Sequence, residues 1–141
     1  MIKVSVTKQS NYPVKSSIIK KKLADFLVKQ GIVSDAEVAI AIVGEKRMLE
    51  IQKKFFREKD PTSHFGFRGA SKTLHNVLSF TPSEAKGFVY PPDGRLHLGE
   101  IIVCYPKAVE EAKEENMLID DRVYELVEHG ALHLLGIHHP E

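Results

Sequence analysis

The chain has 141 residues, 43% of them apolar and 28% charged, which fits one soluble globular domain over residues 1–141 and leaves no room for two of ordinary size. Its single cysteine, Cys104, excludes an intramolecular disulfide and with it a disulfide-held secreted scaffold. A net charge of +1 argues against a uniformly basic nucleic-acid binder, yet residues 1–72 carry 15 Lys and Arg against 7 Asp and Glu, and residues 73–141 carry 5 against 12.

The elements follow from periodicity. Ile2 to Thr7 alternates apolar and polar residues and predicts a first strand rather than the apolar core of a signal peptide. Ile19, Leu23, Phe26 and Leu27 recur at helical spacing, with Ser16 or Ser17 as the cap and Gly31 as the stop. Lys20, Lys21 and Lys22 on that helix read first as a solvated face, although a polyanion would also meet them. Glu37 to Val43 predicts a buried strand. Glu45 to Phe56 predicts a helix whose apolar side holds Met48, Leu49, Ile51, Gln52 and Phe55. Residues 57–75 and 81–96 are rich in Pro, Gly and polar groups and read as long loops around a short strand, Asn76 to Phe80. Leu98 to Tyr105 is a further strand, and Pro106 opens a helix to about Asn116. The last helix starts near Asp120 and Asp121 and stops at Gly136. No apolar run approaches the ~18 residues of a membrane span. We therefore expect a cytoplasmic α/β (α+β) domain in which helices pack a small central mixed sheet and the C-terminal helix carries the chemistry.

That chemistry is densest from His129 to His139, HGALHLLGIHH. His129 and His133 are four apart, so on a helix both rings reach one ion from the same face. Gly136 can turn the chain back and bring His139 round as a third ligand. Three neutral imidazoles leave a tetrahedral Zn²⁺ one open position, as in catalytic rather than closed structural sites. The plain alternative is the adventitious metal affinity of closely spaced histidines. The spacing is that of the zinc-protease pattern, but Gly130 stands where that pattern places its general base. Glu128 points about 100° away from His129 on a helix and does not replace it. A peptidase would need a remote carboxylate such as Glu100. Cys104 reads as core packing. Ser79 has no base beside it in sequence, and His75 and His97 read first as ordinary loop or strand-end residues, with lining of a cleft as the alternative.

At these residues the sequence resembles the YbeY endoribonucleases, bacterial rRNA-maturation factors, whose signature is H-G-x-L-H-L-x-G-Y-D-H. Asn76-Val77-Leu78-Ser79-Phe80 and Leu98-Gly99-Glu100-Ile101-Ile102-Val103 are similar to two strands of that family, and the match covers roughly residues 45–139. The resemblance implies a metal-dependent endoribonuclease acting on single-stranded RNA in maturation of the 16S rRNA 3′ end and in ribosome quality control. Its partners would be rRNA, the small ribosomal subunit and assembly factors, with no membrane. It implies one zinc ion on His129, His133 and His139, with His133 counted among the catalytic residues and Asn76 and Ser79 among the substrate contacts. It also implies a phosphate-binding arginine before the NVLSF strand, a role that a permanently charged, forked guanidinium suits. Two arginines compete for this role, which is counted as catalytic as well as substrate-binding: Arg68, favoured for its spacing to Asn76, and, as the alternative, Arg57, with the better flanking residues. His138, Ile137 and Glu100 depart from the family's Asp, Tyr and Asp. The other readings are a zinc-dependent peptidase-like hydrolase and a non-catalytic ribosome-assembly factor. The charge split predicts that the basic and acidic halves face each other across one cleft, with RNA drawn along the basic side to the metal.

Overall fold

The computed structural model describes residues 1–59, 73–82, 84 and 94–137, the side chains of residues 56–59 excepted. Among these residues the chain runs β1 (Ile2–Lys8), α1 (Ser16–Lys29), β2 (Ala36–Val43), α2 (Glu45–Lys59), β3 (Val77–Phe80), β4 (Leu96–Cys104), α3 (Tyr105–Glu114) and α4 (Ile119–Leu134). The four strands form one mixed sheet in the order β1-β2-β4-β3. β1, β2 and β4 are parallel, and β3 joins β4 antiparallel at one edge. The α/β class and the small central mixed sheet are as the periodicity predicted.

Burial divides the molecule into three layers. On one face Val38, Ile40, Leu98, Ile101 and Val103 of the sheet pack with Ile19, Leu23 and Leu27 of α1 and Val123, Val127 and Ala131 of α4. On the other face Val43, Leu78, Phe80, Ile102 and Cys104 pack with Met48 of α2. Each fully buried Leu or Ile contributes about 1.5–3 kcal/mol relative to exposure. β2 and β4 are covered on both faces, which is why they read as nearly continuous apolar runs.

The helix boundaries refine the sequence reading. No serine caps α1: Lys15 holds the N-cap and no side chain bonds it. α2 continues to Lys59, so Arg57 lies on a helix rather than in a loop. Leu49, assigned to the apolar side of α2, is 37% exposed, because it lies about 100° round the helix from Met48. Gln52, assigned to the same side, is fully buried. Its side chain donates to the Thr73 carbonyl at 2.5 Å and accepts from the His75 amide at 3.0 Å, which ties α2 to the chain entering β3. Of the long loops assigned to 57–75 and 81–96, residues 57–59 belong to α2 and Leu96 to β4, while residues 60–72, 83 and 85–93 lie outside the described residues.

One irregularity of the sheet bears on the site. The register between β2 and β4 shifts at Leu98, so that Glu37 pairs with His97 and Val38 with Gly99. Gly99 has φ +133°, and a Cβ there would stand 2.1 Å from the Phe80 carbonyl oxygen. The extra residue places Leu98 and Ile101 on the same face, under α1 and α4.

Candidate active site

The site grows from the way α4 sits on the sheet. Gly130 is buried, and a Cβ on it would stand 2.8 Å from Ile101 Cγ2 and 3.5 Å from Val77 Cγ2. The missing side chain lets the helix backbone approach β4 and β3 closely. This approach brings the neighbouring flank of α4, which carries His129 and His133, over β3. Ser79 on β3 is 9% exposed, and its hydroxyl forms a 2.5 Å hydrogen bond with His133 Nδ1. Pairing through Nδ1 turns Nε2, across the ring, away from the strand. His133 is half-buried and His129 is exposed one turn earlier.

Past the histidines, Gly136 has φ +79°. The Ile137 amide donates to the Leu132 carbonyl at 2.9 Å and the Gly136 amide to the His133 carbonyl at 3.0 Å. These two bonds close the helix at Gly136, where the spacing predicted its stop. His138 and His139 lie outside the described residues. Among the described residues no group of three metal-ligating side chains assembles. The pair that is described has the chemistry a metal requires: two imidazoles on one helix face, one of them oriented by a hydroxyl at its second nitrogen.

A groove of about 520 Å³ runs along the same flank of α4, lined by His129, Leu132, Glu128, Leu126, Glu125, Arg122, Asn76 and Val77. Its far end is a fixed polar network. Glu111 on α3 accepts from Asn76 Nδ2 at 3.2 Å and from Arg122 Nη2 at 2.9 Å, and Arg122 Nη1 donates to Glu125 at 2.9 Å. Burial opposes the Arg122 charge, but its bonds to Glu125 and Glu111 outweigh that and raise its pKa. Tyr124 sits on the other flank, where its hydroxyl donates to the Lys22 carbonyl and Lys22 Nζ lies 5.2 Å from its ring centre. Burial, followed by the Glu128 and Asp25 carboxylates, pushes the Tyr124 pKa up.

This settles the position of the lysine-rich helix. Tyr124 and His133 are nine residues apart, about 180° round α4. α1 therefore meets the flank of α4 opposite the histidines and does not form the facing wall of a cleft.

Residues 4–141 match a family model described as Endoribonuclease YbeY. The chain belongs to the YbeY endoribonuclease family. An Acinetobacter baumannii protein named Endoribonuclease YbeY is 32% identical to it, over 98% of this chain and 82% of the relative. One from Dehalococcoides mccartyi of the same name is 30% identical, over 91% of this chain and 72% of the relative. The solution structure of TM1509 from Thermotoga maritima superposes with a TM-score of 0.52 and 27% identity, over 99% of this chain and 75% of that one.

The YbeY membership accords with what Gly130 excludes. The residue after the first histidine faces the sheet and has no room for a side chain, so a protease-type general base cannot stand there. Glu100 is no substitute. It pairs with Phe80 across the β3–β4 ladder and shares the α2 side of the sheet, whereas Ser79 pairs with Ile101 on the α4 side. Burial raises the Glu100 carboxyl above its usual range and lowers the His75 imidazole below its own. Cys104 is buried in the core, and burial raises its thiol. Arg68 lies outside the described residues, and of Arg57 only the backbone, on α2, is described. Sequence reasoning missed two features: the Ser79–His133 bond, formed by residues 54 apart in sequence, and the groove. The Ser79 signal was present in its alternation with Val77 on β3, which points both residues at α4.

No helix among the described residues is long and apolar enough to cross a membrane.

Proposed function

We propose that this protein is a metal-dependent endoribonuclease that cleaves single-stranded RNA. The substrate is rRNA, and the step is late maturation of the small-subunit rRNA at its 3′ end, with a role in ribosome quality control. One observation carries the reading: His129 and His133 stand one turn apart on the flank of α4 that meets β3, with the His133 ring held through Nδ1 by Ser79. His129, His133 and His139 would hold one zinc ion. When bound, that ion supplies Lewis acidity and a water of lowered pKa. The protein's own part is to fix the imidazoles and to present the groove beside them. Arg68, or Arg57 in its place, binds a substrate phosphate in this reading. The working place is the cytoplasm, with the small subunit and its assembly factors as partners.

The test uses purified protein on single-stranded RNA, with and without chelator, and a His133→Ala variant. Cleavage by the wild type that is lost in both other arms is the expected result. Equal cleavage in all three identifies a contaminating nuclease and overturns the reading. Metal-dependent peptide cleavage without RNA turnover would favour a peptidase-like hydrolase. Full ribosome maturation supported by folded His133→Ala would favour a non-catalytic assembly factor.

A further inference from the structure

Resting on the endoribonuclease reading, we propose that the groove beside His129 is a nucleobase subsite, which receives one unstacked base next to the phosphate being cleaved. Three observations converge on a base. The volume of about 520 Å³ lies within the range of small-molecule sites. Val77, Leu126 and Leu132 give it apolar surface, against which the π-face of a base can lie. The third observation is its charge. Among the described residues the one cation of the lining besides histidine is Arg122, and that guanidinium is engaged by Glu111 and Glu125. Glu125 and Glu128 add two carboxylates to the lining. At the end of the groove away from the histidines, where Arg122 lies between Glu111 and Glu125, a phosphate would meet net negative charge, whereas a neutral base would not.

The polar network also fixes what the groove offers. A carboxylate only accepts hydrogen bonds, so Glu111 sets the Asn76 amide with its NH₂ group inward at 3.2 and 3.3 Å. The Asn76 Oδ1 is thereby turned the other way, as an acceptor. With Glu125 it presents acceptors to the N–H groups of a base edge. A base reaches this groove only when it is splayed out of a helix, so the subsite supplies a physical cause for acting on single strands.

The experiment walks a single abasic ribose through a short single-stranded RNA and measures kcat/KM with the metal-loaded wild type and a Leu132→Ala variant. Circular dichroism and zinc content establish that the variant is folded and loaded. One abasic position should lower wild-type kcat/KM by about tenfold to a hundredfold, the size that stacked bases usually carry. Leu132→Ala should cost about tenfold on intact RNA and almost nothing on RNA abasic at that position, because both changes remove the same contact. Wild-type cleavage that is indifferent to base loss at every position overturns the subsite while leaving the nuclease reading intact. Losses that simply multiply overturn it as well. If intact RNA is not cleaved in a metal-dependent way, the nuclease reading falls and the subsite with it.

Discussion

Replacing Ser79 with Ala separates the folding role of the Ser79–His133 bond from the role we propose for it in orienting a metal ligand. The serine is 9% exposed, and its hydroxyl meets His133 Nδ1 at 2.5 Å. Without metal, the change removes one side-chain hydrogen bond and leaves a half-buried ring nitrogen that water still reaches, a loss of about 1 kcal/mol. With metal on Nε2 the same bond does more. A ligated imidazole is a stronger N–H donor, and the hydroxyl also holds the ring in the orientation that ligation needs. Losing such a partner typically weakens metal binding by about 10–100-fold, which is roughly 1.4–2.7 kcal/mol. We therefore expect Ser79→Ala to lower metal-free stability in urea unfolding by about 1 kcal/mol and to weaken zinc binding, in competition with a chromophoric chelator, by more than that loss accounts for. Ser79→Thr, which keeps the hydroxyl, should restore most of the zinc affinity. Unchanged zinc affinity in Ser79→Ala, with the expected fall in stability, would refute the orienting role and leave the bond as packing alone.

Three further outcomes follow from the same geometry. Gly99→Ala forces a Cβ to 2.1 Å from the Phe80 carbonyl at φ +133°, so urea unfolding should show a loss of about 3 kcal/mol or more, and a change under about 0.5 kcal/mol would contradict the described bulge. Gln52→Ala removes the bonds to the Thr73 carbonyl and the His75 amide and opens a cavity under α2; a loss of about 2–4 kcal/mol is expected by the same measurement, and a neutral result would remove Gln52 as the tie to β3. Burial raises the Glu100 pKa, so the folded state holds that proton more tightly than the unfolded chain; its stabilising effect is complete in acid and is lost as pH rises through the raised value. The stability of wild type relative to Glu100→Gln should therefore increase as pH falls from neutral to mildly acidic, and a constant difference would show that Glu100 is not desolvated.

The helices and strands were legible because burial leaves a period in the sequence. Ile19, Leu23 and Leu27 marked α1, and the apolar runs of β2 and β4 marked strands covered on both faces. The His129–His133 spacing and the turn at Gly136 were legible for the same reason, since both are set by local backbone geometry. Leu49 was misjudged, whereas Gln52 was rightly placed on the packed side of α2. Side-chain type suggested burial of Leu49, while the rotation of α2 against the sheet left it part-exposed, and Gln52 is tolerated in the core because two backbone groups of a distant segment bond it.

By itself, then, the sequence determined the mixed α/β class, the order of the elements, the one-turn spacing of His129 and His133 on the C-terminal helix and the family resemblance, since each depends on residues close together along the chain or on a run of matched positions. Only the tertiary structure decided what surrounds the histidines. The pairing of β3 with β4 and the close seat of Gly130 on Ile101 bring Ser79 to His133 and exclude a base beside His129. The rotation of α4 puts the lysine-rich helix on the flank away from the site, although the charge count had suggested two facing walls. Charge along a chain has no direction in space until packing assigns each residue a face.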